Sequence, residues 1–521
     1  MKTRLIIAIM LLLALSSAFA QAYWEWAKNA GGIQNDSGQS IAVDNAGNSY
    51  TTGSFEGIAT FGTIVLATAG ETDIFIAKKD GNGNWIWAQS VGSTSYDSGF
   101  GICVDVAGNA YVTGYFYGTV SFGTNELISS GESDIFVAKI SSAGVWQWAA
   151  KAGSTDWDLG RALTTDTNGN IYTTGRFKGI ASFGSNTVIS SGDYDVYVAK
   201  LDSVGNWLGV LSAGGSALDL AGDISIDGLN NVYITGLFEI NISFGATALA
   251  SYGARDIFVA KASSDLSSWL WANKAGGTGN DSGSSIVTDN IGNSYVTGAF
   301  VTSATFGTVT LTGVSSEIFV SKLNSIGDWL WTTNAGGNGN DVGRGIDIDS
   351  TGNSYIVGEF YNTCHFGTYN VTSAGNRDVF VSKLNAAGDE WLWAIRAGGL
   401  GNDFGLDLVK GFTEEINITG YFADAATFGT TNLISYGNND MYAAKISVQA
   451  MPNTPSNIQI TISENQVQIS WDVVPNCTYT VYSDSNPEGT FSNVEQTGIT
   501  ATNWSETISA GKLFYRVTAE N

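Results

Sequence analysis

Seven aspartates recur at one position of an internal repeat, and their spacing is the feature of this sequence that most suggests chemistry. Carboxylates held close together need a positive partner to stay ionised, so a ring of them would suit a cation. Alternatively, each could accept backbone N–H groups in its glycine-rich loop or pair with a lysine of a neighbouring repeat. No Asp-x-Asp-x-Asp-Gly loop is present, so no cofactor is predicted, and a structural calcium ion stays an alternative without a motif. The seven are Asp36, Asp97, Asp158, Asp219, Asp281, Asp341 and Asp403.

The residue before this aspartate differs between repeats and marks a candidate ligand site. It is Asn in four repeats but Tyr96, Trp157 and Leu218 in three consecutive ones. If the loop is exposed, these side chains form an apolar arc beside carboxylate acceptors, which suits a glycan or a peptide. Ordinary packing beneath a loop is the alternative. The predicted ligand-binding residues are Tyr96, Asp97, Trp157, Asp158, Arg161, Leu218 and Asp219, with Tyr115 as a further candidate.

Catalytic chemistry has little support in the sequence. The chain has one histidine, His365, so a Ser-His-Asp or Cys-His arrangement would have to use it, and a site with several His ligands is excluded by count. With 48 acidic residues, a pair of carboxylates is uninformative. We predict no catalytic residues and no metal ligands, and favour a non-enzymatic binding protein. An extracellular polysaccharide hydrolase or lyase with carboxylates in a channel is the alternative, and a purely structural envelope protein is a third hypothesis.

Charge and the N-terminal residues predict where the protein works. A formal charge of -25 repels nucleic acid and anionic lipid heads, so neither is an expected partner. Residues 1–20 have basic residues, an apolar run and a small-residue end, which is the order of a secretory signal peptide. No later run is long enough for a transmembrane helix. We therefore expect a monomer, secreted, extracellular or attached to the outer cell surface, that meets a glycan, a protein or a peptide.

The three cysteines are scattered, which argues against a disulfide framework. Cys103, Cys364 and Cys477 are expected to be small buried residues. A bridge between Cys103 and Cys364 is the alternative.

The elements that must hold these residues are short strands in a sevenfold repeat. The first Trp of a Trp-x-Trp run returns about every 61 residues. Each repeat has four alternating or apolar runs, separated by turns such as Asp-x-x-Gly-Asn, with a possible short extra pair near residues 304–311. Four antiparallel strands per repeat suit one blade of a β-propeller, with the Trp side chains filling the wedge between blades. The first Trp residues are Trp24, Trp85, Trp146, Trp207, Trp269, Trp329 and Trp391.

Two motifs in each repeat resemble the bacterial SBBP-type β-propeller repeat family. They are Gly-Asn-x-Tyr-x-x-Gly-x-Phe, as at Gly108–Phe116, and an Asp-to-Lys run, as at Asp134–Lys139. The resemblance covers about residues 23–446. It implies an all-β, seven-bladed propeller of four-stranded blades and little about activity, since propellers host many functions.

The order of the strands predicts how the ring closes. Every Asp-to-Lys run is followed by a Trp strand except the last, which ends at Lys445. The unpaired copy at Tyr23–Gly32 is therefore expected to complete the seventh repeat, leaving no long exposed edge. That repeat departs from the pattern at residues 411–415, where Asp-x-x-Gly-Asn is missing, and Asn417 replaces Tyr.

The composition changes after Met451, where all four prolines lie. Alternating runs and a Trp at position 471 resemble a fibronectin type III module, which implies a small β-sandwich that acts as a spacer or adhesive module. The predicted domains are residues 1–20, signal peptide; 21–447, seven-bladed propeller; 448–455, linker; and 456–521, fibronectin type III-like sandwich.

Overall fold

A computed structural model shows a chain whose regular structure is entirely β-strand in the residues it describes. The predicted signal peptide, most of the predicted linker, the four prolines and Cys477 lie outside the described residues. The chain divides into two compact units, one of residues 22–447 and one that holds the C-terminal strands. The described residues are 21–411, 414–449, 459–463, 466–472, 478–484, 493–507 and 514–520.

Each repeat contributes consecutive, antiparallel, neighbouring strands. The chain opens with β1 (Gln21–Ala30). Repeat 1 has β2 (Ser37–Val43), β3 (Ser49–Phe61), β4 (Ile64–Lys79) and β5 (Trp85–Val91); repeat 2 has β6 (Ser98–Val104), β7 (Ala110–Phe122), β8 (Asn125–Ile140) and β9 (Trp146–Ala152). Repeat 3 has β10 (Leu159–Thr165), β11 (Ile171–Phe177), the hairpin β12 (Ile180–Phe183) and β13 (Asn186–Ile189), β14 (Asp195–Leu201) and β15 (Trp207–Ala213).

The remaining repeats follow the same order. Repeat 4 has β16 (Asp219–Ile226), β17 (Val232–Phe244), β18 (Thr247–Ala262) and β19 (Trp269–Gly276); repeat 5 has β20 (Ser282–Thr288), β21 (Ser294–Phe306), β22 (Val309–Leu323) and β23 (Trp329–Gly337). Repeat 6 has β24 (Val342–Ile348), β25 (Ser354–Phe366), β26 (Tyr369–Leu384) and β27 (Trp391–Gly399); repeat 7 has β28 (Phe404–Lys410), β29 (Glu415–Phe428) and β30 (Thr431–Gln449).

The middle strands are longer than the sequence pattern indicated. The extra pair expected near residues 304–311 is the continuation of β21 and β22 beyond a bulge, where Val301 and Ser303 shift register. The extra residue, Thr302, has a φ of 62°. Gly57, Gly118 and Gly179 occupy the same position with positive φ in repeats 1 to 3, as expected for a bulge that needs the left-handed region.

Repeats 1, 2 and 3 each form a separate four-stranded sheet, as the sequence pattern suggested, whereas repeats 4 to 7 do not. A 16-stranded sheet runs through β1 and the strands of repeats 4 to 7, because the glycine-rich end of an outer strand pairs with the long hairpin of the next repeat. Ala275 of β19 pairs with Phe306 of β21, for example. The glycines are needed for this approach: a methyl group on Gly277 would lie 1.9 Å from the Ser303 carbonyl oxygen.

Strand β1 lies beside β30 in this sheet, which confirms the predicted pairing of the first and last repeat strands. Trp24 packs edge-on against Phe428 with ring centroids 5.0 Å apart, as Trp329 packs on Phe306 at 5.3 Å inside repeat 5. Glu25 lies 3.1 Å from the Lys445 ammonium. The N-terminal strand therefore supplies the outer strand of repeat 7.

The C-terminal unit contains two three-stranded antiparallel sheets. One has the order β31 (Gln459–Ser463), β32 (Gln466–Ser470) and β35 (Asn503–Thr507), and the other β34 (Asn493–Ile499), β33 (Thr478–Asp484) and β36 (Phe514–Glu520). Both sheets contribute to one apolar core, in which the Trp471 and Tyr479 rings lie 5.2 Å apart.

Candidate functional site

The seven loop aspartates brace their own loops. Each side chain is at most 1% exposed. In repeat 2, Asp97 Oδ2 accepts the Ser93 amide at 2.5 Å and Oδ1 accepts the Tyr117 amide at 2.8 Å, and Asp158 uses Ser154 and Lys178 in the same way. These contacts favour the backbone-binding interpretation over an open carboxylate ring. Within the described residues, no group of three or more His, Cys, Asp or Glu side chains is placed to hold a metal ion.

The lysine that ends each Asp-to-Lys run does not pair with these aspartates, so that alternative is wrong. Lys78 instead lies 3.4 Å from Asp44 of its own repeat and donates to the Ser142 carbonyl of repeat 2 at 3.3 Å. Trp87 Nε1 donates to the same carbonyl at 3.1 Å. Lysine and the second tryptophan thus join one repeat to the next.

A second buried carboxylate lies beside each loop aspartate and comes from the Asp-to-Lys run of the preceding repeat, or from repeat 7 in the case of Asp36. A methyl group on Gly31 would lie 2.7 Å from both Asp36 Oδ2 and Asp440 Oδ1, so the two oxygens are close. Burial raises the pKa of Asp36 to about 7 and that of Asp440 to about 6. Oδ1 has no hydrogen-bond partner in six of the strand carboxylates: Asp73, Asp134, Asp195, Asp256, Asp378 and Asp440. Such pairs suit a proton shared between two carboxyl groups.

The aromatic residues predicted to bind a ligand lie on the loops that enter each repeat. Tyr96 and Trp157 are each 53% exposed, whereas Leu218 is half-buried. Trp157 borders a cavity of 210 Å³ that it shares with Tyr115, Tyr117, Arg176, Asp158 and two further residues. We call this cavity the loop pocket. The structure thus brings Trp157 and Tyr115 together and leaves Tyr96 and Leu218 outside that pocket.

The loop pocket offers rings and a guanidinium rather than free carboxylates. Tyr115 and Tyr117 stack edge-to-face at 6.0 Å. Arg176 lies 4.7 Å from the Tyr194 ring, and its buried Nε has no hydrogen-bond partner in the described part of the chain. Asp97, Asp158 and Asp219 were predicted as acceptors for a ligand, but they are fully buried and bonded to their loops.

Arg161 lies elsewhere, in a cavity of 130 Å³ lined by the inner strands of all seven repeats. We call it the axial cavity. The third residue of the aligned inner-strand motif varies between repeats, with arginine as the one type that occurs twice, whereas Gly or Ala precedes it and Ile or Leu follows two residues later. Sequence reasoning missed this signal. The seven residues are Gln39, Phe100, Arg161, Gly222, Ser284, Arg344 and Leu406.

Two aspartates on the axial cavity join neighbouring repeats. Asp407 accepts the Ser40 hydroxyl at 2.7 Å and the Ile41 amide at 3.0 Å, and Asp223 accepts Ser285 and Ile286 at 2.6 and 3.0 Å. Burial raises the pKa of Asp407 to about 7 and also raises that of Asp223. These carboxylates connect repeat 7 to repeat 1 and repeat 4 to repeat 5.

The two axial arginines differ in their partners. Arg344 binds the buried carboxylate of Glu359 through Nε and Nη2, with distances from 2.5 to 3.1 Å. Arg161 makes no hydrogen bond or ion pair with any described residue, and its guanidinium carbon lies 5.3 Å from the Phe100 ring centroid. Phe100 in turn lies 5.9 Å from the Tyr115 ring of the loop pocket. A line of aromatic rings therefore connects the two cavities.

His365 and the cysteines show no catalytic arrangement. His365 is exposed on an outer hairpin, where Nδ1 lies 2.7 Å from Asn370 Oδ1. Cys103 and Cys364 are free thiols, so the alternative of a bridge between them is wrong.

Residues 25–54 match the family model described as SBBP: Beta-propeller repeat. The match covers part of β1, all of β2 and the first part of β3. The chain is a β-propeller repeat protein. Among the described residues, no helix has the length and apolar character needed to span a membrane.

Two relatives match this chain at low identity. A WD repeat-containing protein of Acanthamoeba polyphaga mimivirus is 23% identical over 85% of this chain, and the regulatory protein FlaEY of Caulobacter vibrioides is 26% identical over 63%. The chain spans 40% and 36% of the lengths of these relatives.

Two solved structures align with most of this β-propeller repeat protein. A quinohemoprotein alcohol dehydrogenase from Pseudomonas putida HK5 has 10% identity and a TM-score of 0.38, with 86% of this chain and 80% of that one aligned. Sqt1 from Chaetomium thermophilum has 9% identity and a TM-score of 0.39, with 82% and 100% aligned. At TM-scores this low, neither likeness bears on activity.

Proposed function

We propose that this protein is a non-enzymatic binding protein that presents one loop face of a seven-bladed propeller to an extracellular glycan or peptide. The observation that carries the proposal is Trp157. A half-exposed tryptophan borders a cavity with two tyrosine rings and Arg176, at a position that four other repeats fill with asparagine. Exposed aromatic faces beside a few polar groups are typical of ligand sites.

The proposed seven-bladed ring rests on contacts between the first and last repeats. Trp26 Nε1 and Lys445 Nζ donate to the Gly81 carbonyl of repeat 1 at 3.2 and 3.1 Å. The second tryptophan and the lysine of repeat 1 make the same pair of bonds to repeat 2. Repeat 7 therefore contacts repeat 1 as successive repeats contact each other. On this basis we propose membership of the SBBP repeat family, with the C-terminal unit as a fibronectin type III-like spacer or attachment module.

Binding is favoured over hydrolysis because the axial carboxylates are already engaged. Asp223 and Asp407 each accept a hydroxyl and a backbone amide from the neighbouring repeat, which holds them in a bracing role. A general acid needs a carboxyl group directed at a ligand. The hypothesis of a purely structural envelope protein does not explain an exposed tryptophan beside a cavity. Export, through cleavage after residue 20, and a monomeric state belong to the same proposal.

Glycan and peptide arrays test this function when they are probed with the intact protein and with Trp157→Ala. We expect at least one array hit that the variant loses, while its melting temperature stays within a few degrees, because a half-exposed side chain contributes little to the core. Tyr436→Ala is the matched control, since Tyr436 is 59% exposed in β30, does not line the loop pocket and should leave the hit unchanged. Equal binding by Trp157→Ala and the intact protein would remove the loop pocket as the site.

A further inference from the structure

We infer that the ligand is an acidic glycan, and that the Arg161 guanidinium in the axial cavity binds the carboxylate of a uronic acid residue while the glycan chain lies on the loop pocket. This inference rests on the proposed function and specifies its ligand. Arg161 carries a full charge and a planar fork of donors that matches a carboxylate. In the described structure, none of these donors has a protein partner, whereas Arg344 is bound on both Nε and Nη2 by Glu359.

The position of Arg161 within the ring supports a ligand there. Repeats 4, 5 and 6 are linked along the axial cavity by Asp223 and Ser285, and repeats 7, 1 and 2 by Asp407 and Ser40. Among the described residues, no carboxylate or serine hydroxyl at the positions of Asp223 and Ser285 joins repeats 2, 3 and 4, where the inner strands share a hydrogen bond between Cys103 and Thr165 instead. Arg161 lies in this open sector. The aromatic and apolar loop residues Tyr96, Trp157 and Leu218 enter the same repeats.

The rings between the two cavities form a continuous surface. Arg161 lies on Phe100, Phe100 contacts Tyr115, and Tyr115 lines the loop pocket with Trp157. Arg176 stands at the pocket end of this line. A carboxylate at Arg161 and a sugar ring on Trp157 would therefore use one connected site, with a cation at each end.

The negative groups near Arg161 do not occupy it. Asp223 and Asp407 line the same cavity, but each carboxylate is bonded by a serine hydroxyl and two backbone amides. Glu359 is bound by Arg344. These carboxylates restrict the ligand to the neighbourhood of Arg161.

A glycan fits this surface better than a peptide does. Peptides commonly bind sheets by pairing with unpaired backbone groups of an edge strand. The inner strands are edges, but the amides of Ile41, Ile102, Ile286 and Ile346 already donate to axial side chains. Along these four strands, recognition therefore relies on side chains, and rings and guanidinium groups are the side chains available near Arg161.

Calorimetry with a galacturonic acid trisaccharide and the matched neutral galactose trisaccharide tests the inference. We expect the intact protein to bind the acidic probe at least tenfold more tightly, since a charge-assisted bidentate pair contributes that much. Arg161→Gln should lose this preference while it keeps its affinity for the neutral probe, and its melting temperature should stay within a few degrees because Arg161 makes no hydrogen bond or ion pair with a described residue. Arg255→Gln is the control, because Arg255 pairs with Glu239 in β17 and does not line either cavity.

The outcomes separate the ligand class from the proposed function. Equal affinity for both trisaccharides, or an unchanged preference in Arg161→Gln, overturns the inference, and the loop pocket survives if Trp157→Ala still abolishes binding. Binding of an acidic hexapeptide but of neither trisaccharide, with the peptide affinity lost in Arg161→Gln, overturns the glycan assignment. Loss of the acidic preference in Arg161→Gln together with loss of both affinities in Trp157→Ala supports both proposals.

Discussion

Lys79 is a buried lysine at a position that every other repeat fills with an apolar residue. It is completely buried, its Nζ has no hydrogen-bond partner within the described residues, and it lies 4.4 Å from the Trp85 ring and 5.8 Å from the Trp26 ring. Burial lowers its pKa to about 7. The equivalent residues in the other repeats are all apolar and buried: Ile140, Leu201, Ala262, Leu323, Leu384 and Ile446.

We predict that Lys79→Leu stabilises the protein by about 1–3 kcal/mol, because it removes a buried polar group without a partner. In the intact protein, the unfolded chain holds the lysine proton up to its usual pKa of 10.5, whereas the folded protein releases it near pH 7. Stability should therefore rise as the pH increases between these values, and the benefit of the substitution should be largest below about pH 7. Thermal melts of both proteins across this range measure the difference.

Lys78→Leu is the control from the neighbouring residue. Lys78 pairs with Asp44 and donates to repeat 2, so its loss should destabilise the fold. A lower melting temperature for Lys79→Leu would instead mean that the contacts with Trp26 and Trp85 outweigh the cost of burial.

At the scale of the elements, buried carboxylate pairs connect each loop to the adjacent Asp-to-Lys strand. In the pair formed by Asp195 of β14 and Asp219 of β16, burial raises the pKa values to about 6 and about 8. In β15 the register position of Lys151 and Arg396 is occupied by Ser212, whereas Lys151 and Arg396 contact the corresponding aspartates of repeats 2 and 6. The Asp195 pair therefore has no cation at this position and depends on a proton to relieve the repulsion between its two carboxyl groups.

We predict that Asp195→Asn reduces the loss of stability on going from about pH 4 to about pH 8. Both pKa values are raised, so the folded protein binds more protons than the unfolded chain in this range, and stability falls as the pH rises. An amide at position 195 keeps a donor for Asp219 without titrating. Between pH 4 and pH 8, the variant should lose about 1–2 kcal/mol less free energy of unfolding than the intact protein does. Thermal melts of both proteins at the two pH values measure this difference.

Asp193→Asn provides the matched control two residues away. Asp193 forms an exposed ion pair with Lys178, which contributes little to stability, so this variant should keep the pH dependence of the intact protein. If Asp195→Asn retained the full pH slope, the pair would not titrate as a unit.

The inner strands show why the fold was more predictable than the site. Strand periodicity is a local signal, so the sequence predicted four strand runs per repeat, as β20 to β23 form in repeat 5. The lining of the axial cavity depends on which residues of different repeats lie next to each other, and no local sequence pattern predicts this proximity. Arg161 was therefore grouped with Trp157 from loop spacing, although the structure puts it beside Phe100 in another cavity.

At the scale of the whole molecule, counting the strands predicted the partner of β1. The first Trp strand has no Asp-to-Lys run before it, and the last Asp-to-Lys run has no Trp strand after it, so the two were expected to pair. The detailed contacts of β1 could not be predicted, since repeat 7 lacks the usual aspartate. Where Lys78 of repeat 1 pairs with Asp44, Lys445 of repeat 7 pairs with two glutamates. Its Nζ lies 3.2 Å from a carboxylate oxygen of Glu415 and 3.1 Å from one of Glu25. A residue from the first strand thus replaces one that the last repeat has lost.

We predict that removal of residues 21–32 sharply lowers the melting temperature, because β30 would become an exposed edge and Phe428 would lose its cover. Trp24→Ala is the milder form of this change and should cost roughly 2 kcal/mol, less than a fully buried tryptophan, because Trp24 is half-buried. Thermal melts and size-exclusion chromatography measure the loss of stability and any association through the new edge.

Trp329→Ala is the internal reference for the closure, because Trp329 packs on Phe306 in repeat 5 with the same edge-on geometry and comparable burial. If the N-terminal strand closes the ring as an equal member of the sheet, the two substitutions should lower the melting temperature by similar amounts. A large effect of Trp329→Ala with none from Trp24→Ala would show that β1 contributes little. A deletion variant that melts like the intact protein would lead to the same conclusion.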